Sequence, residues 1–145
     1  MKTLYIYNIS DFCYNLYKKY PYQLYKLLEQ TYYTSKYDKY QAISSYEQLI
    51  EKFNKQFIHD FIFNNHKLDA YYHFKNQTHI ILDRKEYSKL LVSVYSLKLI
   101  TNTKFTNFFS SINKYNENIF ICDFENNDYF WLDKIVKKNK NIINQ

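Results

Sequence analysis

AYYHFKNQTHIILDRKEYSKLLVSVY, residues 70–95, leaves the helical spacing of the chain before it and moves toward a period of two. Alternation of this kind marks half-buried strands. Three antiparallel strands are expected, over 70–75, 78–83 and 89–95, with turns at Asn76-Gln77 and Arg84–Glu86. The chain has no glycine, so asparagine is the common residue left for a left-handed turn position.

Upstream of this stretch the spacing is helical. Ser44-Ser45-Tyr46-Glu47 has the form of a capping box, in which the serine caps the third amide and the glutamate caps back. It predicts a helix with Leu49, Ile50, Phe53 and Phe57 on one face, running through Phe61 and stopping at Asn64-Asn65. Residues 34–41 are polar and predict a loop. Pro21 suits the first turn of an earlier helix, which carries Leu24, Leu27, Leu28 and Tyr32. Before it, Ser10 and Asp11 offer capping oxygens to a first helix. Phe12, Cys13, Leu16, Tyr17 and Tyr20 form one stripe along that helix. TLYIYNI, residues 3–9, is rich in strand formers and opens the chain as a strand.

Downstream, Phe105, Phe108, Phe109 and Ile112 follow i, i+3, i+4, i+7 and predict an amphipathic helix whose stripe is core. Residues 118–124 and 129–132 predict a hairpin around a turn at 125–128, and the last ten residues are expected to be disordered. The sum is α+β: a mostly antiparallel sheet packed against several helices. One domain is expected over 1–135, followed by a basic tail over 136–145.

The 145 residues suffice for a core without disulfides or metal. Tyr occurs 18 times and Phe 12 times, and Arg84 is the single arginine, a bias that AT-rich codons produce by themselves. The formal charge of +6 favours acidic partners, nucleic acid or an anionic surface. Lys134, Lys137, Lys138 and Lys140 concentrate part of that charge near the C-terminus, where solvation accounts for it. Cys13 and Cys122 are far apart, no apolar leader precedes them, and no apolar run is long enough to span a membrane. The chain therefore reads as a cytoplasmic protein with reduced thiols and no membrane partner, a monomer on its own.

Without glycine there is no phosphate-binding loop, dinucleotide fingerprint or nucleophile elbow. His59, His66, His73 and His79 fall in no zinc-binding spacing and read as surface or interface residues; no metal or cofactor is expected. Cys122, between Ile121 and Asp123 in an apolar strand, reads as a buried structural thiol rather than a nucleophile. Asp123, Glu125 and Asp128 flank a turn, and turn solvation explains them better than acid–base chemistry. No catalytic constellation emerges, and the protein reads as a binder rather than an enzyme. A small basic nucleic-acid-binding module is the alternative, with Tyr5, Tyr7, Tyr71 and His73 as a stacking platform on a sheet face.

Three stretches resemble the SirA family, sporulation inhibitors of replication from low-GC Gram-positive bacteria. They are LYIYNI with the following DFCYNLYKKY, then YYTSKYDKY, and then ICDFENNDYFWLDKI. In the last, Asp123, Phe124, Tyr129, Trp131 and Leu132 stand in matching places. The resemblance implies a non-enzymatic inhibitor of replication initiation that binds the N-terminal domain of the initiator DnaA. It also implies a binding surface centred on the first helix. The family's aromatic and tyrosine four residues apart fall at Cys13 and Tyr17, or at Phe12 and Leu16 with a one-residue gap. A polar position early in the capped helix corresponds to Glu47 or Gln48. Cys13 in place of an aromatic is a departure from the family pattern. Tyr17 is expected at the edge of the helical stripe, where its ring reaches a partner.

Overall fold

A computed structural model of the chain describes residues 1–143. The elements follow the order β1 (Lys2–Asn8), α1 (Asp11–Tyr17), α2 (Pro21–Thr34), α3 (Lys39–Leu49) and α4 (Lys55–His66). Then come β2 (Tyr72–Lys75), β3 (Thr78–Leu82), β4 (Tyr87–Val92), β5 (Leu97–Thr101) and α5 (Phe108–Tyr115). β6 (Ile119–Asp123), β7 (Asp128–Trp131) and α6 (Leu132–Ile143) complete the described chain. All strands join one antiparallel sheet in the order β2-β3-β4-β5-β1-β6-β7. The fold is α+β, as the sequence predicts.

Strand alternation sorts the side chains into two cores. Leu4, Ile6, Leu90, Leu97, Leu99 and Ile121 lie on one face and pack with Ile58 and Ile62 of α4 and Phe108 and Ile112 of α5. Tyr7, Phe120, Cys122 and Trp131 lie on the other face, under Cys13 of α1, Leu24 and Leu28 of α2 and Leu49 of α3. A two-residue hairpin turn with positive φ at both central positions matches the twist of the strands it joins. Asn76 and Gln77 supply it between β2 and β3 without glycine, at φ 52° and 60°; Asn127, the last residue of the longer β6–β7 loop, is also left-handed, at 52°.

Several boundaries differ from expectation, each for a local reason. α3 starts at Lys39, because Asp38 accepts a hydrogen bond from the Gln41 amide at 3.1 Å. Residues 39–41 are therefore helix rather than loop, and the Ser44–Glu47 capping box lies inside α3. The helix ends at Leu49, where Ile50 turns extended to bridge Ile9. A new helix begins when Asn54 caps the Phe57 amide at 3.0 Å and runs past Asn64-Asn65 to His66. β5 was missed, although Leu97, Leu99 and Thr101 are buried in alternation with Lys98 and Ile100. Phe105 stands outside α5 and is 45% exposed, so its expected core role is corrected. The cause is Thr106, whose hydroxyl donates to the buried Glu86 carboxylate and accepts from the Phe108 amide, starting the helix later. The expected disordered tail is helical through Ile143; 144–145 lie outside the described residues. Leu132 and Val136 hold α6 to the first core, and Lys137 pairs with Asp133 at 2.8 Å.

The histidines also depart from expectation, since His59, His66 and His79 are buried and only His73 is exposed. His59 Nδ1 lies 2.9 Å from His79 Nε2, and His79 Nδ1 lies 2.6 Å from the Tyr72 hydroxyl. Burial, with the charges of His59 and His66, pushes His79 down to about 3. The unfolded chain takes up a proton near pH 6.5 that the folded chain refuses. Stability present above that pH is thus lost as the pH falls toward the folded value. Chemical denaturation should show a loss of about 2–3 kcal/mol between pH 6.5 and 4, and His79→Gln should flatten most of it. An equally steep loss in the variant assigns the acid sensitivity to other groups.

Candidate functional site

The geometry of α1 follows from its cap. Ser10 Oγ accepts from the Cys13 amide at 3.3 Å, and Asn118 donates to Asp11 at 2.7 Å, fixing where the helix leaves β1. Cys13 is then the buried residue of α1, and its thiol donates to the Gln48 carbonyl of α3 at 3.3 Å. With Cys13 turned inward, Phe12 and Leu16 sit four residues apart on the outer face, 74% and 50% exposed. Of the apolar stripe read from the sequence, only Cys13 is buried; Tyr17 packs partly against the second core, and Tyr20 is exposed.

A groove of about 610 Å³ runs between α1, α2 and α3. Phe12, Cys13, Leu16 and Tyr17 form one wall, and Gln48 lies on the wall opposite with Gln41 and Ser45. Leu27, Gln30, Thr31 and Thr34 form the floor from α2. A second cavity of about 360 Å³ shares Tyr17, Leu27 and Gln30 with the first, so Tyr17 divides one continuous seam. No charged side chain lines the larger cavity. Lys18 and Lys19 after α1 and Lys39 at the start of α3 are exposed, as are Tyr37 in the α2–α3 connection and Tyr40 in α3, at 89% and 87%.

Five of the six residues singled out from the sequence meet in this groove: Phe12, Cys13, Leu16, Tyr17 and Gln48. Glu47 does not. It turns away to pair with Lys52 at 3.0 Å and accept from the Tyr95 hydroxyl at 3.4 Å, and the Lys52 ammonium holds its carboxyl below the usual range. The α2 floor was missed. Its signal is the spacing 27, 30, 31, 34, a helical line of one leucine and three polar residues beside the core line of Leu24 and Leu28. The polar members hid it, because hydrophobic periodicity marks cores and not grooves.

Elsewhere the chemistry is structural. Cys122 is fully buried, and desolvation pushes its thiol well above the ordinary value, which disfavours the thiolate a nucleophile needs. Asp123 accepts from the Asn126 amide and side chain at 3.2 and 2.8 Å, closing the last turn. Asp69, His66 and Ser111 follow one another at 3.0 and 2.8 Å, the order of an acid, a base and a hydroxyl. Ser111, however, is buried within α5 with its hydroxyl 2.9 Å from the Phe108 carbonyl, so the series ties α4 to α5. The expected platform of Tyr5, Tyr7, Tyr71 and His73 is not brought together. The first two lie under the helices in β1, whereas His73 lies in the far edge strand β2 with Tyr71 just before it. No helix among the described residues is long and apolar enough to cross a membrane. No protein-family model and no curated protein matches the chain.

Proposed function

We propose that this protein acts by binding another protein in the α1–α2–α3 groove, and that the partner is the N-terminal domain of the replication initiator DnaA. The observation that carries the first part is the exposure of Phe12 and Leu16 beside a cavity large enough to accept side chains. Large exposed apolar side chains at the mouth of an uncharged groove are what interface anchors look like before they are covered. Lys18 and Lys19 where α1 ends and Lys39 where α3 begins favour a partner with an apolar ridge and acidic flanks. The second part rests on the resemblance of residues 4–20, 32–40 and 121–135 to the SirA family. In this reading the protein inhibits initiation by occupying a surface that DnaA needs, and no covalent step is involved.

Overexpression in a cell carrying the cognate DnaA should lower the ratio of origin to terminus DNA. Phe12→Ala combined with Leu16→Ala, expressed to the same level, should restore the ratio. An unchanged ratio with abundant folded protein contradicts the DnaA assignment while leaving groove binding to be judged by affinity.

A further inference from the structure

The sheet is covered unevenly. α4 and α5 close one face, but α1–α3 reach the other only at its β1, β6 and β7 side. Over β2–β5 that face is open. The pairing places His73, Ile80, Lys89 and Ile100 in one row across it, and Lys75, Thr78, Leu91 and Lys98 in the next. All eight are exposed or half-buried, whereas their sequence neighbours Tyr72, His79, Ile81, Ser88, Leu90, Leu97 and Leu99 are buried on the opposite face. Tyr71 stands beside the outer edge strand and is 58% exposed.

Charge sets this surface apart from an ordinary solvated sheet face, which pairs opposite charges across strands. These rows hold three lysines and no carboxylate, and none of Lys75, Lys89 and Lys98 is in an ion pair among the described residues. The lysine track does not stop at the sheet. Lys98 and Lys36 both line a cavity of about 400 Å³, walled by Tyr5, Tyr32, Tyr33 and Phe124, with Glu125 as its one carboxylate. Lys36 lies over the rings of Tyr32 and Tyr33 at 4.9 and 5.2 Å, and Tyr33 is 44% exposed.

We propose that the open half of this face, with the aromatic cavity at its end, binds a single-stranded nucleic acid. Lysines spaced along a surface neutralise successive phosphates, and rings accept bases without regard to sequence. An aromatic cavity flanked by two lysines takes an unstacked base with its phosphate. A second copy of the chain is disfavoured, because two faces bearing the same lysines repel each other. This surface is separate from the groove of α1–α3, so the two readings stand or fall independently.

The test uses the full chain and fluorescently labelled oligo(dT) and oligo(U) of about 20 nucleotides, with anisotropy read at about 50 mM salt. Four lysines on phosphates predict a slope of log affinity against log salt of about −2 to −3. Lys89→Glu with Lys98→Glu should lower affinity at least about tenfold, while Lys18→Glu with Lys19→Glu, the same charge change beside α1, should cost no more than about threefold. Tyr33→Ala should weaken binding about fivefold or more with little change in the salt slope, since it removes stacking and no charge. Binding of either strand supports the proposal, and preference for oligo(U) identifies RNA. Absence of binding, equal losses from the two lysine pairs, or an unaffected Tyr33→Ala variant overturns it. So does anisotropy unchanged by the sheet-face variants, which would leave the face to an acidic protein.

Discussion

Phe12→Ala combined with Leu16→Ala should weaken partner binding by about 3 kcal/mol, on the order of a hundredfold, and leave thermal stability nearly untouched. Both side chains are mostly or half exposed in the free protein, so truncating them removes little buried area. Exposed substitutions of this kind change folding stability by about 0.5 kcal/mol or less. In a complex the same rings and methyls would be buried against the partner, and their loss would be felt there. Tyr17 behaves differently. Its ring lines both halves of the seam and also packs on the second core, so Tyr17→Ala should lower affinity and stability together. Thermal unfolding and affinity measured on the same three proteins separate these cases.

Phe108→Ala should destabilise the fold by about 3–5 kcal/mol, the range for deleting a fully buried aromatic ring. Phe108 is 0% exposed, meets His66 edge-on at 5.2 Å and starts α5 against the first core. Phe105→Ala, three residues earlier, should cost less than about 1 kcal/mol, because half of that ring already faces solvent. The periodic pattern treats the two phenylalanines alike, so the pair is a sharp check on where α5 begins. Equal losses from both variants would show that Phe105 is part of the core after all.

Much of the sheet was legible from the sequence because β3 and β4 alternate and the β2–β3 and β6–β7 turns contain asparagines. β5 escaped since LKLIT follows β4 closely and carries no turn residue stronger than serine before it. Helix starts were less legible, because several side chains compete to cap. Ser44 and Glu47 have the right spacing, but Asp38 caps first, and only the bridge between Ile50 and Ile9 decides where that helix stops. That bridge is a contact between residues distant in sequence, which no local pattern contains. The same limit applies to the site. The α1 side of the groove could be read from one stripe, whereas its α2 floor is mostly polar and acquires meaning only when three helices are set side by side. The buried histidines belong to this class too, each satisfied by a partner on another element or farther along the chain.

Titration calorimetry of the purified chain against the purified DnaA N-terminal domain tests the proposal that the α1–α2–α3 groove receives that domain. One-to-one binding at about micromolar affinity or tighter is predicted for the natural chain, falling on the order of a hundredfold for Phe12→Ala with Leu16→Ala. No heat of binding with the natural chain, or equal affinity for the natural and doubly substituted proteins, would contradict it.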